Sequence, residues 1–229
     1  MVIDTNSYSV ENSIAILCRG KSLKFIDKIP NVDEYIIVNR FGDELEQKNV
    51  SNKLYEQDIT QVLSLVPDEP TLMIQRGHYK KFKINKLVLP YLRETVPGSA
   101  QSIEGYDGKT IPSYVLSDTH KDYMYKRGTR PDGDTRYAYS YPTSGIAGVV
   151  HGTIDYGKKN IFIIGLDFYQ SDYAYGKSKA DLVSRGEDPK MMRDFLTNFL
   201  STQKEKNFTI VTTTDYDCDF SNVNVMRVK

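Results

Sequence analysis

The stretch Asn160-Ile161-Phe162-Ile163-Ile164-Gly165-Leu166-Asp167 constrains this chain more than any other. An unbroken apolar run that stops at Gly and Asp reads as a strand covered on both faces and ending in a tight turn. Such strands belong to parallel sheets, and parallel neighbours need crossover connections, so the chain is expected to be α/β. Open parallel sheets bind ligands just outside the carboxyl ends of their strands. Tyr169, Tyr173 and Tyr175 follow that end directly. A phenol hydroxyl can donate a hydrogen bond to an anion without adding a full charge. Tyr169 and Tyr173 are therefore the first candidates for a ligand site.

Other segments fit the same pattern. Ser13 to Cys18 suits a first strand, Arg19 to Ser22 a turn, and Leu23 to Ile29 a short helix with Ser22 as N-cap. Glu34 to Val38 suits a second strand. Ile59 to Val66 and Thr71 to Gln75 compete for a third, and Asn85 to Arg93 suits either a strand or a helix. From Val96 to Tyr139 the chain turns polar and rich in Gly, Pro and Asp, which predicts loops and short helices. Ile146 to Ile154 predicts a helix of small and apolar residues, with Gly145 and Gly148 allowing close approach to a sheet and Gly157 as a C′ residue. Lys190 to Thr202 predicts an amphipathic helix with Met192, Phe195, Leu196 and Phe199 on one stripe. Phe208 to Thr212 predicts a last buried strand, and Val223 to Val228 an edge strand. The whole is read as one domain, residues 1–229, with an irregular insertion over about 96–139 and a lid over about 171–189.

Composition excludes several classes. With 229 residues, 39% of them apolar, one sizeable core is affordable. Thirty basic residues balance thirty acidic ones, so no global field draws the chain to nucleic acid. The two cysteines, Cys18 and Cys218, stand far apart and show no metal spacing, which points to a reducing compartment. The polar stretch Met1 to Glu11 does not read as a secretory signal, and no apolar run approaches a membrane span. A cytoplasmic location is expected.

Few residues carry recognisable chemistry. In Cys18-Arg19-Gly20-Lys21-Ser22, a glycine after the first strand lets backbone approach a ligand, and amides at a helix start favour phosphate. Arg19, Lys21 and the Ser22 hydroxyl would add to that. The turn is neither a P-loop nor a dinucleotide fingerprint. Asn39 closes the second strand, where its amide can read a ribose or a base edge. Thr143-Ser144-Gly145 sets two hydroxyls at a helix start, without the nucleophile elbow of a hydrolase. Of the three histidines, His151 suits a packed position, His78 a strand end and His120 the irregular region.

In order, Ile16 to Asp27, Val38 to Phe41, Thr143-Ser144-Gly145, Gly165 to Gln170 and Tyr173-Ala174-Tyr175 resemble a bacterial family. These are the CMP-sialic-acid-dependent sialyltransferases that decorate lipooligosaccharides, glycosyltransferase family 42. The resemblance implies a single Rossmann-like nucleotide-binding domain with a mainly parallel sheet, a variant of the GT-A architecture, and a small lid. It implies inverting transfer of sialic acid, or a related nonulosonic acid, from a CMP-sugar to a glycan hydroxyl, with no metal and no cofactor. Gly20, Ser22, Asn39 and Ser144 would contact the cytidine, ribose or phosphate, with Lys21, Arg40, Thr143, Gly145 and Asp167 beside them. Tyr169 and Tyr173 would hold the departing CMP phosphate. The expected partners are the CMP-sugar donor and a glycan acceptor. Peripheral association with the inner face of a membrane and a homo-oligomer are further options.

The chain also departs from that family. The family's general base is a lid histidine, and here no His follows His151. Asp181, Glu187 and Asp188 are the carboxylates of that stretch, and Asp188 is the candidate base, with His120 as the alternative. Arg19-Gly20 stands where the family has Asn-Gly, and Tyr141-Pro142 where it has an Arg before Thr-Ser-Gly. A protein of this fold that binds or hydrolyses a CMP-sugar without transferring it is the alternative reading.

Overall fold

The structure, a computed structural model, describes residues 9–38, 52–54, 57–62, 83–89, 102–104, 110–115, 143–168, 170–174 and 189–229. The strands are β1 (Ser9–Leu17), β2 (Asn31–Val38), β3 (Asp58–Val62), β4 (Lys83–Leu89), β5 (Ser102–Glu104), β6 (Thr110–Val115), β7 (Asn160–Ile164), β8 (Asn207–Thr212) and β9 (Val223–Arg227). They form one nine-stranded sheet in the order β5-β6-β4-β3-β2-β1-β7-β8-β9. Every pairing is parallel except β5 with β6. The expected α/β class with a mainly parallel sheet is what the chain adopts.

β1 and β7 sit at the centre because their side chains are apolar in both directions. Ile14, Ile16 and Cys18 join one hydrophobic cluster, with Ile161 and Ile163 of β7. Ala15 and Leu17 join the other, with Ile164. Alternate residues of a strand face opposite sides of the sheet, so a run without polar interruptions can only be satisfied by cover on both faces.

The first face is covered by α1 (Ser144–Ile154) and α2 (Pro189–Ser201). α1 lies close because it is built of small residues. A Cβ on Gly148 would stand 3.0 Å from Val38 Cγ1, and one on Gly152 would stand 3.0 Å from Ile36 Cδ1. α2 buries Met192, Leu196 and Phe199, with Phe195 packed at the margin, as its periodicity predicts. The second face is covered by a 3-10 helix, Lys21–Lys28, kinked at Phe25, which buries Leu23 and Ile26.

Several expectations need correction. Gly20, not Ser22, takes the N-cap position of the first helix, and no side chain caps it. Ser22 lies inside the helix, because its hydroxyl is drawn to a buried carboxylate described below. The region expected to hold only loops and short helices contains β5 and β6, and β6 extends the parallel sheet beside β4. Thr110-Ile111-Pro112-Ser113-Tyr114-Val115 lacks the apolar run of a central strand, being the last parallel strand on that side. Asn85 to Arg93 resolves in favour of a strand, β4. Of the two candidates for a third strand the first is realised as β3, and Thr71 to Gln75 lies outside the described residues. The C-cap of α1 is Asp155, so Gly157, at φ +62, falls one residue beyond the expected C′ position. The expected edge strand is β9.

Candidate functional site

The sheet grows in two directions from β1. The chain moves from β1 to its neighbour β2, and returns much later to place β7 on the other side. The carboxyl ends of β1 and β7 therefore open a crevice at a topological switch point, where open α/β sheets take their ligands. A solvent-open cleft of about 530 Å³ lies there.

Its floor depends on glycine. The Cys18 amide donates to the Ile164 carbonyl at 2.7 Å, and the Gly20 amide to the Gly165 carbonyl at 2.7 Å, so the two strand ends run on in contact. Gly165 turns away at φ +79, and a Cβ there would stand 2.1 Å from the Cys18 carbonyl oxygen. A Cβ on Gly20 would stand 2.6 Å from both the Gly165 carbonyl oxygen and Asp167 Oδ2.

Asp167 is buried at the centre of this crossing. Its Oδ2 accepts from the Ser22 amide at 2.8 Å, the Ser171 hydroxyl at 2.9 Å and the Thr213 hydroxyl at 3.2 Å. Its Oδ1 accepts from the Ser22 hydroxyl at 2.9 Å, the Thr212 hydroxyl at 3.0 Å and the Thr213 amide at 3.2 Å. One carboxylate thus ties together the turn after β1, the loop after β7 and the end of β8. Charge-assisted hydrogen bonds are what make such a buried group tolerable. The Ser22 hydroxyl also accepts from the Gly165 amide at 2.9 Å. Its proton and one lone pair are therefore engaged inside the protein.

The loop then folds back over the β1 turn. Phe168 takes φ +50, unusual for a bulky residue, with its ring against Tyr216 (centroids 4.9 Å apart) and the Arg193 guanidinium 5.6 Å from its centroid. Arg193 in turn bonds Gln170 and Asp215. Backbone held off its preferred conformation by surrounding contacts is a frequent mark of functional loops. Tyr173 pairs with Gly20 in an antiparallel bridge, and the Ala174 amide donates to the Arg19 carbonyl at 2.7 Å. The Arg19 guanidinium lies 4.4 Å from the centroid of the Tyr173 ring.

The start of α1 also lines the cleft. Thr143 is its N-cap, its hydroxyl accepting weakly from the Ile146 amide at 3.5 Å. The first-turn amides of Ser144 and Gly145 have no intrahelical acceptors. Both residues line the cleft. With the helix dipole behind them, these amides favour an anion.

Other solved structures share this architecture. A structure of the sialyltransferase CstII from Campylobacter jejuni in complex with a substrate analogue, cytidine-5'-monophosphate, matches with a TM-score of 0.53 at 17% identity, over 86% of this chain and 79% of that one. A second CstII structure, in complex with CMP-3FNeuAc, gives 0.54 at 16% identity over 86% and 80%. A variant in complex with CMP gives 0.56 at 15% identity over 92% and 86%. The fold is that of the CstII sialyltransferases. At these identities the likeness is one of fold, and no family model or curated protein sequence matches the chain.

Within this CstII-type sheet, the sequence candidates divide into three groups. Gly20, Thr143, Ser144, Gly145, Asp167 and Tyr173 line the cleft together. Lys21 does not: its side chain is exposed outside the lining, because the turn presents the preceding Arg19 instead. Ser22 is fully buried and off the lining. Asn39, Arg40, Tyr169 and Asp188 lie outside the described residues, as do His78, His120, Asp181, Glu187 and Tyr175. His151 is buried within α1, paired with Asp155 and edge-on to Tyr156 at 5.4 Å, away from the lining. The partners of Asp167 were not foreseen. The run Thr212-Thr213-Thr214, hydroxyls directly after a buried apolar strand, was the available signal.

Cys18 also lines the cleft, as a neutral thiol. Burial, with the Asp167 carboxylate nearby, pushes its ionisation far above the ordinary thiol range. Thiolate is the reactive form, so a thiol alkylating reagent at pH 8 should label half-buried Cys218 and spare Cys18. Peptide mapping by mass spectrometry checks this; equal labelling of both in the folded protein would refute it. Among the described residues, no helix is long and apolar enough to cross a membrane.

Proposed function

We propose that the chain is a metal-independent, inverting glycosyltransferase that moves sialic acid, or a related nonulosonic acid, from a CMP-sugar to a glycan hydroxyl. One observation carries the reading. The cleft at the switch point of a CstII-type fold is lined by five of the residues that the sequence singled out for a nucleotide, Gly20, Thr143, Ser144, Gly145 and Tyr173, while Lys21 and Ser22 stay off it. CstII itself has been captured with CMP in complex.

The chemistry follows from the donor set. An acceptor oxygen attacks the anomeric carbon of the sugar, the bond from that carbon to the CMP phosphate oxygen breaks, and CMP leaves with the electron pair. The acceptor proton passes to a base, for which Asp188 is the candidate. Charge grows on the phosphate as the bond breaks, so hydrogen-bond donors already in position lower the barrier. The Tyr173 phenol and the start of α1 supply such donors, and Tyr169 is expected to add a second phenol. Asp167 and Ser22 serve by holding the loop that carries Tyr173 against the β1 turn. They act on the ligand through that loop.

Calorimetric titration with CMP, UMP, GMP and ADP in the presence of a chelator tests the donor class, with CMP-sialic acid turnover followed in the same sample. Preference for CMP with turnover is expected; binding without nucleotide preference would sink the reading. Tyr173→Phe should lower kcat by about 10²–10³-fold, the usual cost of one donor to a developing oxyanion. Unchanged kcat in a variant with an unchanged melting curve would remove Tyr173 from the mechanism.

A second reading is a CMP-sugar hydrolase or binding protein, and a sequence observation favours it: no histidine follows His151. CMP release that does not depend on any glycan acceptor would support it, and strict dependence on an acceptor would exclude it.

A further inference from the structure

We propose that Arg193 is a positioning residue for the cleft, which sets the turn after β7 and with it the loop that carries Tyr173. The inference rests on the transferase reading above and deepens it by naming a residue that works from behind the cleft wall. Arg193 stands in α2, off the cleft lining, while its neighbour Met192 is on it. The Arg193 guanidinium meets three groups. It lies 5.6 Å from the centroid of the Phe168 ring, and its Nη2 donates to Oε1 of Gln170 and to Oδ1 of Asp215. Phe168 and Gln170 belong to the turn after β7, and Asp215 follows β8, so one cation joins α2 to both.

The turn needs such a holder. The Gln170 amide donates to the Asp167 carbonyl at 2.9 Å, which closes the turn, and Phe168 sits within it at φ +50. A bulky residue keeps that conformation only where its surroundings over-determine it. Much of that surrounding comes from α2. The Tyr216 ring, 4.9 Å from that of Phe168, is itself tied to the helix by a hydroxyl contact with Thr197 at 3.0 Å. Arg193 and Thr197 are four residues apart and so share one face of α2. Phe168 lines the cleft, so whatever fixes its ring also shapes the site. From Gln170 the chain runs on to Ser171, which bonds Asp167, and to Tyr173, which bridges Gly20. The later part of the loop is thus tied to the β1 turn, and its start to α2. Phe168 and Gln170 stand on either side of Tyr169 in the sequence, the phenol expected beside Tyr173.

The test uses Arg193→Met, which keeps the length of the side chain and removes its donors. Gln170→Ala is the second variant, at an exposed position where a substitution costs little stability. Turnover of CMP-sialic acid is measured beside melting and amide hydrogen exchange. Misplacing a reacting group by about 1 Å costs on the order of 10²-fold, so Arg193→Met should lower kcat by about 10–100-fold. The donor KM should stay unchanged, the mark of an interaction that counts in the transition state. The Gln170 amide should exchange about tenfold faster, the equivalent of one hydrogen bond, while the amides of β7 keep their protection. The double variant should lose little more than Arg193→Met alone, because both substitutions release one turn. An unchanged kcat overturns the proposal, and so do additive losses in the double variant. A fall in kcat matched by lost protection in β7 overturns it too, by showing a merely structural role. Wild type that turns over no CMP-sugar overturns the transferase reading, and exchange at Gln170 then decides alone whether Arg193 sets the turn.

Discussion

Gly165→Ala is expected to lower folding stability by about 2–5 kcal/mol, a large share of what a domain of this size possesses. Two independent costs add. The residue sits at φ +79, where a side chain costs about 1–2 kcal/mol. The new methyl would also stand 2.1 Å from the Cys18 carbonyl oxygen, which is backbone and cannot rotate aside. Relief requires β1 and β7 to separate at their carboxyl ends, breaking the bonds from Cys18 to Ile164 and from Gly20 to Gly165. Overpacking of that kind costs about another 1–3 kcal/mol. Urea denaturation of the variant measures the total. A loss below about 1 kcal/mol, the ordinary size of a point-mutation effect, would show that the crossing is not as tight as described.

Asp167→Ala is the second large effect, expected at about 4 kcal/mol. Removing the carboxylate leaves the amides of Ser22 and Thr213 without their acceptor inside the protein, at about 1–3 kcal/mol each. The hydroxyls of Ser22, Ser171, Thr212 and Thr213 can rotate toward new partners, so they add less. Asp167→Asn should cost roughly half as much by the same reckoning, since it keeps one oxygen and turns a second donor toward the remaining donors. Hydrogen exchange sharpens the measurement. In Asp167→Ala the Ser22 and Thr213 amides should lose protection before those of the β1 core. Uniform protection in the variant, with stability within about 1 kcal/mol of the parent, would deny Asp167 its role as the tie between three strand ends. The two substitutions lie in one network, so their costs should not add in the double variant.

Much of the fold is legible in local sequence. β1, β7 and β8 are strongly apolar runs, and nothing else satisfies such runs as well as the middle of a parallel sheet. α2 announces itself by period, and α1 by its small residues and the Thr143 cap. β5 and β6 were missed for the opposite reason. They carry Pro, Ser and Thr at the far side of the sheet, where partner strands and not their own composition hold them in place. The first helix was legible in position but not in kind. Ser22 has the chemistry of an N-cap, and local reasoning assigned it that role. Its hydroxyl instead bonds Asp167, 145 residues later in the chain.

The candidate site divides in the same way. Gly20, Thr143-Ser144-Gly145 and Gly165-Leu166-Asp167 could be picked out singly, because each is a backbone requirement written into neighbouring residues: a turn, a helix start, a strand end. Their meeting in one cleft could not, since it depends on β7 returning to lie beside β1. That Arg19 lines the cleft beside Tyr173 likewise depends on the loop after β7 reaching back to the β1 turn.

By itself, then, the sequence determined the class of fold, the positions of the central strands and the sites of obligatory glycine, because burial and backbone conformation are paid residue by residue. Only the tertiary structure decided which polar groups line the cleft and which are tied up inside the protein. A hydroxyl or a carboxylate is equally able to do either, and what settles it is the nearest partner in space. Asp167 and Ser22 bond each other inside the protein, and Arg19 lies over the Tyr173 ring where both line an open cleft.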